Sequence, residues 1–249
     1  MEGTHAVPDL LKKISAGIWT ADGSVVTLYG FPFSTRMTVV RLEKGDLWVH
    51  SPIRISDRLL EEIYALGRVK HLIAPNKLHY LFMPEWMQAF PEACSYSSPG
   101  LERKRPDLAF AQALGPQPES PWAKEIKQTV FGGSAVMEEV IFFHCASRTL
   151  ILTDLVENIR AESLNRRQRW FARIGGVLFP DGKTPLDWRL TFLLGKRKAR
   201  TSLQTMLGWK PENVIISHGE CVFGGGSEFL ARSFSWVGRV TVDAPVRCP

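Results

Sequence analysis

Cysteine pairs at metal-binding spacing are absent from this sequence. Its four cysteines, Cys94, Cys145, Cys221 and Cys248, are scattered, and no two of them form a C-x-x-C pair. This spacing excludes a zinc knuckle, a thioredoxin-like motif and a dense disulfide framework. We therefore interpret all four side chains as reduced thiols.

Long hydrophobic runs are also absent. No stretch approaches the roughly 18 apolar residues that a helix needs to cross a bilayer, so the sequence predicts no transmembrane segment. Near the start, Glu2 and Pro8 stand where a secretory signal would carry positive charge and then an apolar run. We therefore expect a cytoplasmic protein. A length of 249 residues without internal repeats favours a single domain over residues 1–249.

Short β-rich runs and helical stripes alternate along the chain. Residues 36–52 and 68–75 are rich in β-branched and apolar residues, which predicts three strands, the first two joined by a turn at 44–46. Between them, residues 57–66 carry apolar side chains at helical spacing, with Ser56 as the N-cap. Further predicted elements are a hairpin over 138–154, helices in a basic segment at about 160–210 and a strand within 212–220.

Polar side chains stand where four of the predicted strands end. They are His50 after DLWV, Asn76, Lys77 and His79 in the loop PNKLH, Asp154 after RTLILT, and His218 after NVIIS. Ligands gather at strand ends in several sheet folds. Three imidazoles and one carboxylate suit Zn²⁺ or another divalent metal if they converge, and a loop lysine suits an anion. The sequence therefore predicts a candidate cleft formed by these six residues.

Two of these strand ends also carry a resemblance to a known superfamily. RTLILTD, followed later by NVIISHGE, resembles the metallo-β-lactamases, in which an Asp after a hairpin strand bridges two metals and a late Gly-flanked His completes the site. FPFSTRMTVVRL, LWVHSPI, APNKLH and SRTLILTDLVENI are similar to a metallo-β-lactamase-like group classed as a domain of unknown function. The resemblance covers roughly residues 17 to 222. It implies an α/β fold, an αβ/βα sandwich of two mixed β-sheets flanked by helices.

The superfamily's defining metal loop is not preserved. Where that loop reads H-x-H-x-D-H, this chain has PNKLHYLF, and the hairpin histidine of the superfamily would fall near 135–137, where none is present. His79 falls at the loop's Asp position or beside it. Only Asp154 and His218 carry over residue by residue. The resemblance therefore implies either no cofactor or one divalent metal, Zn, Fe or Mn, and no dinuclear centre.

Two functional interpretations follow, and the sequence leaves open whether the protein is an enzyme. In the first, the protein is a degenerate member of the superfamily that lacks dinuclear hydrolysis and binds a small-molecule or anionic ligand, or a partner, at the strand-end cleft. In the second, His50, His79, Asp154 and His218 form a rebuilt, mononuclear site. Such a site would hydrolyse an ester, thioester, lactone or phosphoester.

Positive charge is concentrated in residues 160–200, which hold eleven Lys and Arg against three Asp and Glu. Trp170 and Phe171 lie among these charges. Basic and aromatic residues in this pattern indicate contact with nucleic acid or with an anionic surface. Charge at helical spacing is also typical of a solvated helix face, so both interpretations remain open.

Overall fold

Two mixed β-sheets form the frame of the computed structural model, which describes residues 10–28, 31–238 and 240. The strands are β1 (Lys12–Ser15), β2 (Ile18–Asp22), β3 (Val26–Leu28), β4 (Phe31–Phe33), β5 (Arg36–Arg41), β6 (Asp46–His50), β7 (Arg68–Ala74), β8 (Cys94–Ser97), β9 (Gln112–Ala113), β10 (Ile126–Phe131), β11 (Glu139–His144), β12 (Thr149–Ile151), β13 (Asn213–Ile215) and β14 (Val222–Phe223). The helices are α1 (Asp57–Leu66), α2 (Met83–Ala89), α3 (Leu101–Lys104), α4 (Arg166–Gly175), α5 (Leu186–Thr191), α6 (Lys196–Gly208) and α7 (Gly226–Ser233).

The larger sheet has the order β1-β2-β5-β6-β7-β8-β9, and the smaller has the order β10-β11-β12-β13-β14. Within the larger sheet, β1, β2, β5 and β6 pair antiparallel in that order. The strands from β6 through β7 and β8 to β9 pair parallel. In the smaller sheet only β12 and β13 are parallel. Strands β3 and β4 form a separate hairpin.

Three apolar layers hold these elements together. Between the sheets, Trp48 and Ile73 of the larger sheet share a buried cluster with Phe142 and Ile215 of the smaller one. The outer face of the larger sheet packs against α1 and α2, and that of the smaller sheet packs against α6 and α7. This is the αβ/βα sandwich that the sequence resemblance implied, and the predicted fold class is confirmed.

Local sequence signals explain where several elements begin and end. The Ser56 side chain accepts a hydrogen bond from the Leu59 backbone N–H and caps α1, as predicted. Gly45 occupies the turn between β5 and β6 with φ of +83°, a conformation that glycine adopts without a steric penalty. The predicted hairpin of residues 138–154 is present as β11 and β12. These signals depend on neighbours in sequence and are therefore readable without the fold.

Two further observations concern the cysteines and the membrane. Cys94 and Cys221 carry free thiols, but Cys145 is disulfide-bonded, so the prediction of reduced thiols is wrong at that position. Cys248 lies outside the described residues. Across the residues that the structure describes, no helix combines the length and the apolar character needed to cross a bilayer.

Candidate metal centre

The ends of three strands meet at one edge of the sandwich. The loop of residues 75–79 follows β7, and the Pro75 carbonyl accepts a hydrogen bond from Val140 N across the gap between the sheets (2.8 Å). Asp154 and His218 each lie three residues beyond the ends of β12 and β13. Because β12 and β13 are parallel neighbours, both side chains reach the same edge.

Three potential ligand atoms face one another at this edge. His79 Nε2 lies 3.3 Å from His218 Nε2 and 3.3 Å from Asp154 Oδ1. His218 Nε2 lies 2.9 Å from the same Asp154 oxygen. Ligands bound to one zinc at about 2.0 to 2.2 Å are themselves roughly 3 to 3.5 Å apart. The three atoms therefore match one triangular face of a metal coordination shell, and we call these residues the His79–Asp154–His218 triad.

The other ring nitrogen of each histidine is held from outside the triad. His218 Nδ1 donates to the Ser34 carbonyl (2.7 Å), which can only accept. His79 Nδ1 lies 2.6 Å from Ser51 Oγ. When both Nδ1 atoms donate outward, both Nε2 atoms present lone pairs to the centre of the triad, which is the arrangement of metal-binding imidazoles in proteins.

The electrostatics of the triad favour a cation at its centre. Burial by itself lowers the pKa of His218, but the hydrogen bond and charge of Asp154 outweigh burial and raise it. Burial by itself raises the pKa of Asp154, but His79 and His218 hold it well below its usual range. Two nitrogen lone pairs and a carboxylate oxygen in contact need a proton or a metal ion between them. The residues present thus fit a divalent metal.

A layer of polar contacts fixes the orientation of Asp154. Asn76 Nδ2 donates to Asp154 Oδ2 (2.6 Å), while Asn76 Oδ1 accepts from the His79 backbone N–H (3.0 Å). The fully buried Glu139 carboxylate accepts from the backbone N–H groups of Thr153 (2.7 Å) and Asp154 (2.9 Å). Burial and the nearby Asp154 charge raise the pKa of Glu139. Asp154 therefore turns Oδ1 toward the triad, while Oδ2 accepts the Asn76 amide.

Three of the six sequence candidates belong to the triad and Asn76 contacts it, whereas His50 and Lys77 do neither. His50 is buried against Trp48 and Phe142, and burial lowers its pKa to about 3. Neither of its ring nitrogens has a hydrogen-bond partner among the described residues. Lys77 points to the other side of the loop, where its Nζ donates to the Val136 carbonyl (3.2 Å) and borders a 170 Å³ cavity. The structure brings Asn76, His79, Asp154 and His218 together, and leaves these two apart.

Three residues at this edge were not found from the sequence. Ser51 contacts His79 from a left-handed backbone conformation (φ 52°), which no local motif signals. Glu139 begins a strand whose other residues are all buried, and an acid in such a position is the one available signal. Burial raises the pKa of Glu157, on the same loop as Asp154, to about 7. Ser51 and Glu139 act through long-range contacts, and Glu157 is distinguished by its burial, none of which spacing in sequence shows.

The serine contact gives a first testable prediction. We expect Ser51→Ala to weaken metal binding by about 10- to 100-fold, the usual cost of losing an outer partner of a ligating histidine. The hydroxyl is the group that orients the His79 ring, so its removal leaves the Nδ1–H without that acceptor. A competition titration against a chromophoric chelator measures the change, with Ser56→Ala, at the α1 cap, as the control variant. Equal affinities for Ser51→Ala and the parent chain would contradict this role.

Solved structures similar to this chain are metallo-β-lactamases. The enzyme from Pontibacter korlensis is 16% identical, with a TM-score of 0.62 over 91% of this chain and 97% of its own. The enzyme from Hirschia baltica is 13% identical, with a TM-score of 0.60 over 93% and 98%. FIM-1 from Pseudomonas aeruginosa, solved in a mono-zinc form, is 10% identical, with a TM-score of 0.60 over 93% and 95%. At these identities the likeness establishes the fold alone.

Comparisons of sequence give the family. No curated protein matches the chain. A family model described as "Domain of unknown function (DUF4336)" matches residues 16–168, which include His79 and Asp154 of the triad. That match spans more than half of the 249 residues. The chain therefore belongs to the DUF4336 family and has a metallo-β-lactamase-like fold.

Proposed function

We propose that the protein is a hydrolase in which His79, Asp154 and His218 hold one divalent metal. The observation that carries this proposal is the set of three ligand-atom separations, between 2.9 and 3.3 Å. Within the described residues, no fourth His, Cys, Asp or Glu joins this group. Structural zinc sites use four protein ligands, whereas catalytic sites use three and leave a position open. The triad thus has the ligand number of a catalytic site.

A single metal fits this edge better than two. Asp154 Oδ2, the carboxylate oxygen outside the triad, accepts a 2.6 Å hydrogen bond from Asn76, and no further His, Cys, Asp or Glu among the described residues joins the triad to hold a second ion. The Asn76 side-chain nitrogen also lies near Thr153 Oγ1 (2.8 Å) and Glu139 Oε2 (3.1 Å), so amide hydrogens fill the space beside the triad.

The chemistry divides between the metal and the chain. A divalent metal with an open position supplies a nucleophilic water at neutral pH and polarises a carbonyl or phosphoryl oxygen. The chain holds the two imidazoles through Ser51 and Ser34, the Asp154 carboxylate through Asn76 and the Asp154 backbone N–H through Glu139. Exposed fractions of 8%, 11% and 7% for the side chains of His79, Asp154 and His218 limit access to a narrow reacting group. Esters, thioesters, lactones and phosphoesters are substrates that such a site can hydrolyse.

Hydrolysis can be tested with four probes: p-nitrophenyl acetate, an acyl thioester, a lactone and bis-p-nitrophenyl phosphate. We expect one class to be hydrolysed by the metal-loaded chain, with activity lost on chelation. The variant His218→Ala should lower kcat/KM by at least about a hundredfold, because a metal ligand contributes more than the outer partners of a ligand do. Asp181→Asn, an exposed acid remote from the triad in sequence, is the control. Activity that survives both chelation and His218→Ala would contradict the proposal.

A second candidate function is ligand binding without turnover. The observation favouring it is the 170 Å³ cavity beside the loop of residues 75–79, which Lys77 and Arg103 line together with a single acid, Glu138. In that case the protein binds an anionic small molecule there. Binding of a carboxylate or phosphate probe that Lys77→Met abolishes, with no hydrolysis of any of the four substrates, would favour this function over the first.

A cytoplasmic location stays a prediction, and the disulfide at Cys145 weighs against a reducing compartment.

A further inference from the structure

Exposed apolar side chains concentrate in one short part of the chain. Of the fourteen large hydrophobic residues that are exposed in the described structure, eight lie between Trp170 and Leu194. Monomeric proteins rarely leave large contiguous apolar patches in water, and such patches mark sites of contact. The region is outside the metal centre and contains no member of the triad.

Helix α4 directs its large apolar residues outward. Ala172 is its buried residue, whereas Trp170 is 59% exposed and Ile174 is 48% exposed. Residues four apart share a helix face, so Trp170 and Ile174 lie on one side and Ala172, two positions from each, lies on the other. A helix of a water-soluble domain normally buries its apolar face, and α4 shows the reverse.

Helix α5 continues the same surface. No residue of α5 is buried, and its Leu186 and Leu190 are exposed, as are Leu193 and Leu194 just beyond its end. Leu186 and Leu190 are four residues apart and share one face of α5, and Leu193 and Leu194 follow in the turn between α5 and α6. The two helices are in contact, since Arg189 of α5 donates to the carbonyl of Gly175 at the end of α4 (2.7 Å). We call the outward faces of these two helices, with the leucines that follow, the α4–α5 surface.

Positive charge surrounds the α4–α5 surface. The exposed basic residues at its margins are Arg166, Arg167 and Arg173 on α4 and Lys196, Arg197 and Lys198 at the start of α6. Neither α4 nor α6 has an acid in its first turn, although the positive end of the helix dipole favours acids there, while α5 has one, the exposed Asp187. Cations placed against this local preference indicate that the surface meets an anionic partner.

We propose that the α4–α5 surface docks onto the surface of a bilayer that contains anionic phospholipid. Apolar side chains flanked by Lys and Arg match the boundary between acyl chains and acidic headgroups. Tryptophan is enriched at this boundary, and Trp170 would lie there in the docked protein. A nucleic acid would engage the cations through phosphate but would leave the exposed leucines without a partner. The proposal involves surface attachment only, and it does not depend on the metal centre.

Sedimentation with vesicles tests this proposal on the full chain. We expect binding to phosphatidylcholine vesicles that contain phosphatidylserine and little binding to phosphatidylcholine alone, with affinity falling as salt is added. The double variant Arg166→Gln, Arg167→Gln should weaken binding by about fivefold per charge removed. The double variant Leu190→Ser, Leu194→Ser should weaken it by at least about tenfold. Matched controls are Lys44→Gln and Tyr64→Ser, the latter at a side chain that is 60% exposed on α1; both should bind as the parent chain does.

Three outcomes would overturn the proposal. The first is an absence of binding to phosphatidylserine vesicles at low salt, and the second is equal binding to neutral vesicles. The third is binding that the leucine variant leaves unchanged. If duplex DNA or RNA binds instead, with log affinity falling at about −0.9 per phosphate contact against log salt, the surface is a nucleic-acid interface. If analytical ultracentrifugation shows a dimer that the leucine variant dissociates, and vesicles do not bind, the surface joins two copies of this chain.

Discussion

Replacing Asp154 by alanine is expected to lower the affinity of the chain for Zn²⁺ by more than about a hundredfold. This loss exceeds the loss of affinity on removing a residue that only hydrogen-bonds to a metal ligand. The change removes the only carboxylate of the triad and leaves two imidazole Nε2 atoms 3.3 Å apart. Two neutral nitrogens hold a divalent cation weakly without the charge that Asp154 supplies. A competition titration against a chromophoric chelator measures the loss.

The control for this variant is Asp107→Ala, which removes an exposed aspartate that pairs with Arg105. It should leave Zn²⁺ affinity unchanged. Asp154→Asn is a useful companion, because an amide keeps the volume of the side chain and isolates the effect of charge. Losing even an outer hydrogen-bond partner of a ligand usually lowers metal affinity by more than about tenfold. If the Zn²⁺ affinity of Asp154→Ala is within about threefold of that of the parent chain, the triad is not the metal site.

Replacing Glu139 by alanine should have the largest effect on stability. The carboxylate accepts hydrogen bonds from three successive backbone N–H groups, those of Thr153, Asp154 and Leu155, all at buried positions. Each buried donor left without an acceptor costs about 1 to 3 kcal/mol. We therefore expect the free energy of unfolding to fall by about 3 kcal/mol or more, as measured by urea denaturation.

The neighbouring acid provides a matched control for this experiment. Glu138 lies next to Glu139 but is only half-buried, and Glu138→Ala should change the free energy of unfolding by less than about 1 kcal/mol. Glu139→Gln retains one acceptor oxygen, so its effect should fall between the two. Equal stabilities for Glu139→Ala and Glu138→Ala would show that the carboxylate does not support the turn that carries Asp154.

The parts of the fold that depend on local pattern were predictable. Helix α1 follows from its apolar spacing and its Ser56 cap, and the hairpin of β11 and β12 follows from two apolar runs around a turn. Strands β1 and β10 were not predicted. Lys12 and Lys13 give β1 a polar appearance, and Lys127 and Gln128 interrupt the apolar pattern of β10. Pairing with β2 and β11 therefore determines that both segments are strands. Edge strands of this kind take their structure from a partner rather than from their own sequence.

The candidate site, like the fold, was predictable only where local sequence determines the structure. Asp154 and His218 were identified from the strands that they follow, and the structure places them 2.9 Å apart. His79 could not be assigned to the metal loop by counting residues, because the turn that Asn76 stabilises through Leu78 N and His79 N sets where its ring points. Helical spacing likewise did not reveal that α4 turns Trp170 outward. That orientation depends on which face packs against the rest of the molecule.

The number of metal ions per chain tests the central claim most directly. The purified chain would be saturated with Zn²⁺, Mn²⁺ or Fe²⁺ in turn, freed of excess metal by gel filtration, and measured by elemental analysis beside Asp154→Ala. We expect one tightly bound equivalent in the parent chain and none in the variant, because the triad supplies three ligands to a single ion and no further His, Cys, Asp or Glu of the described residues joins it. Two tightly bound equivalents in the parent chain, or none of any metal, would contradict a mononuclear centre at this edge.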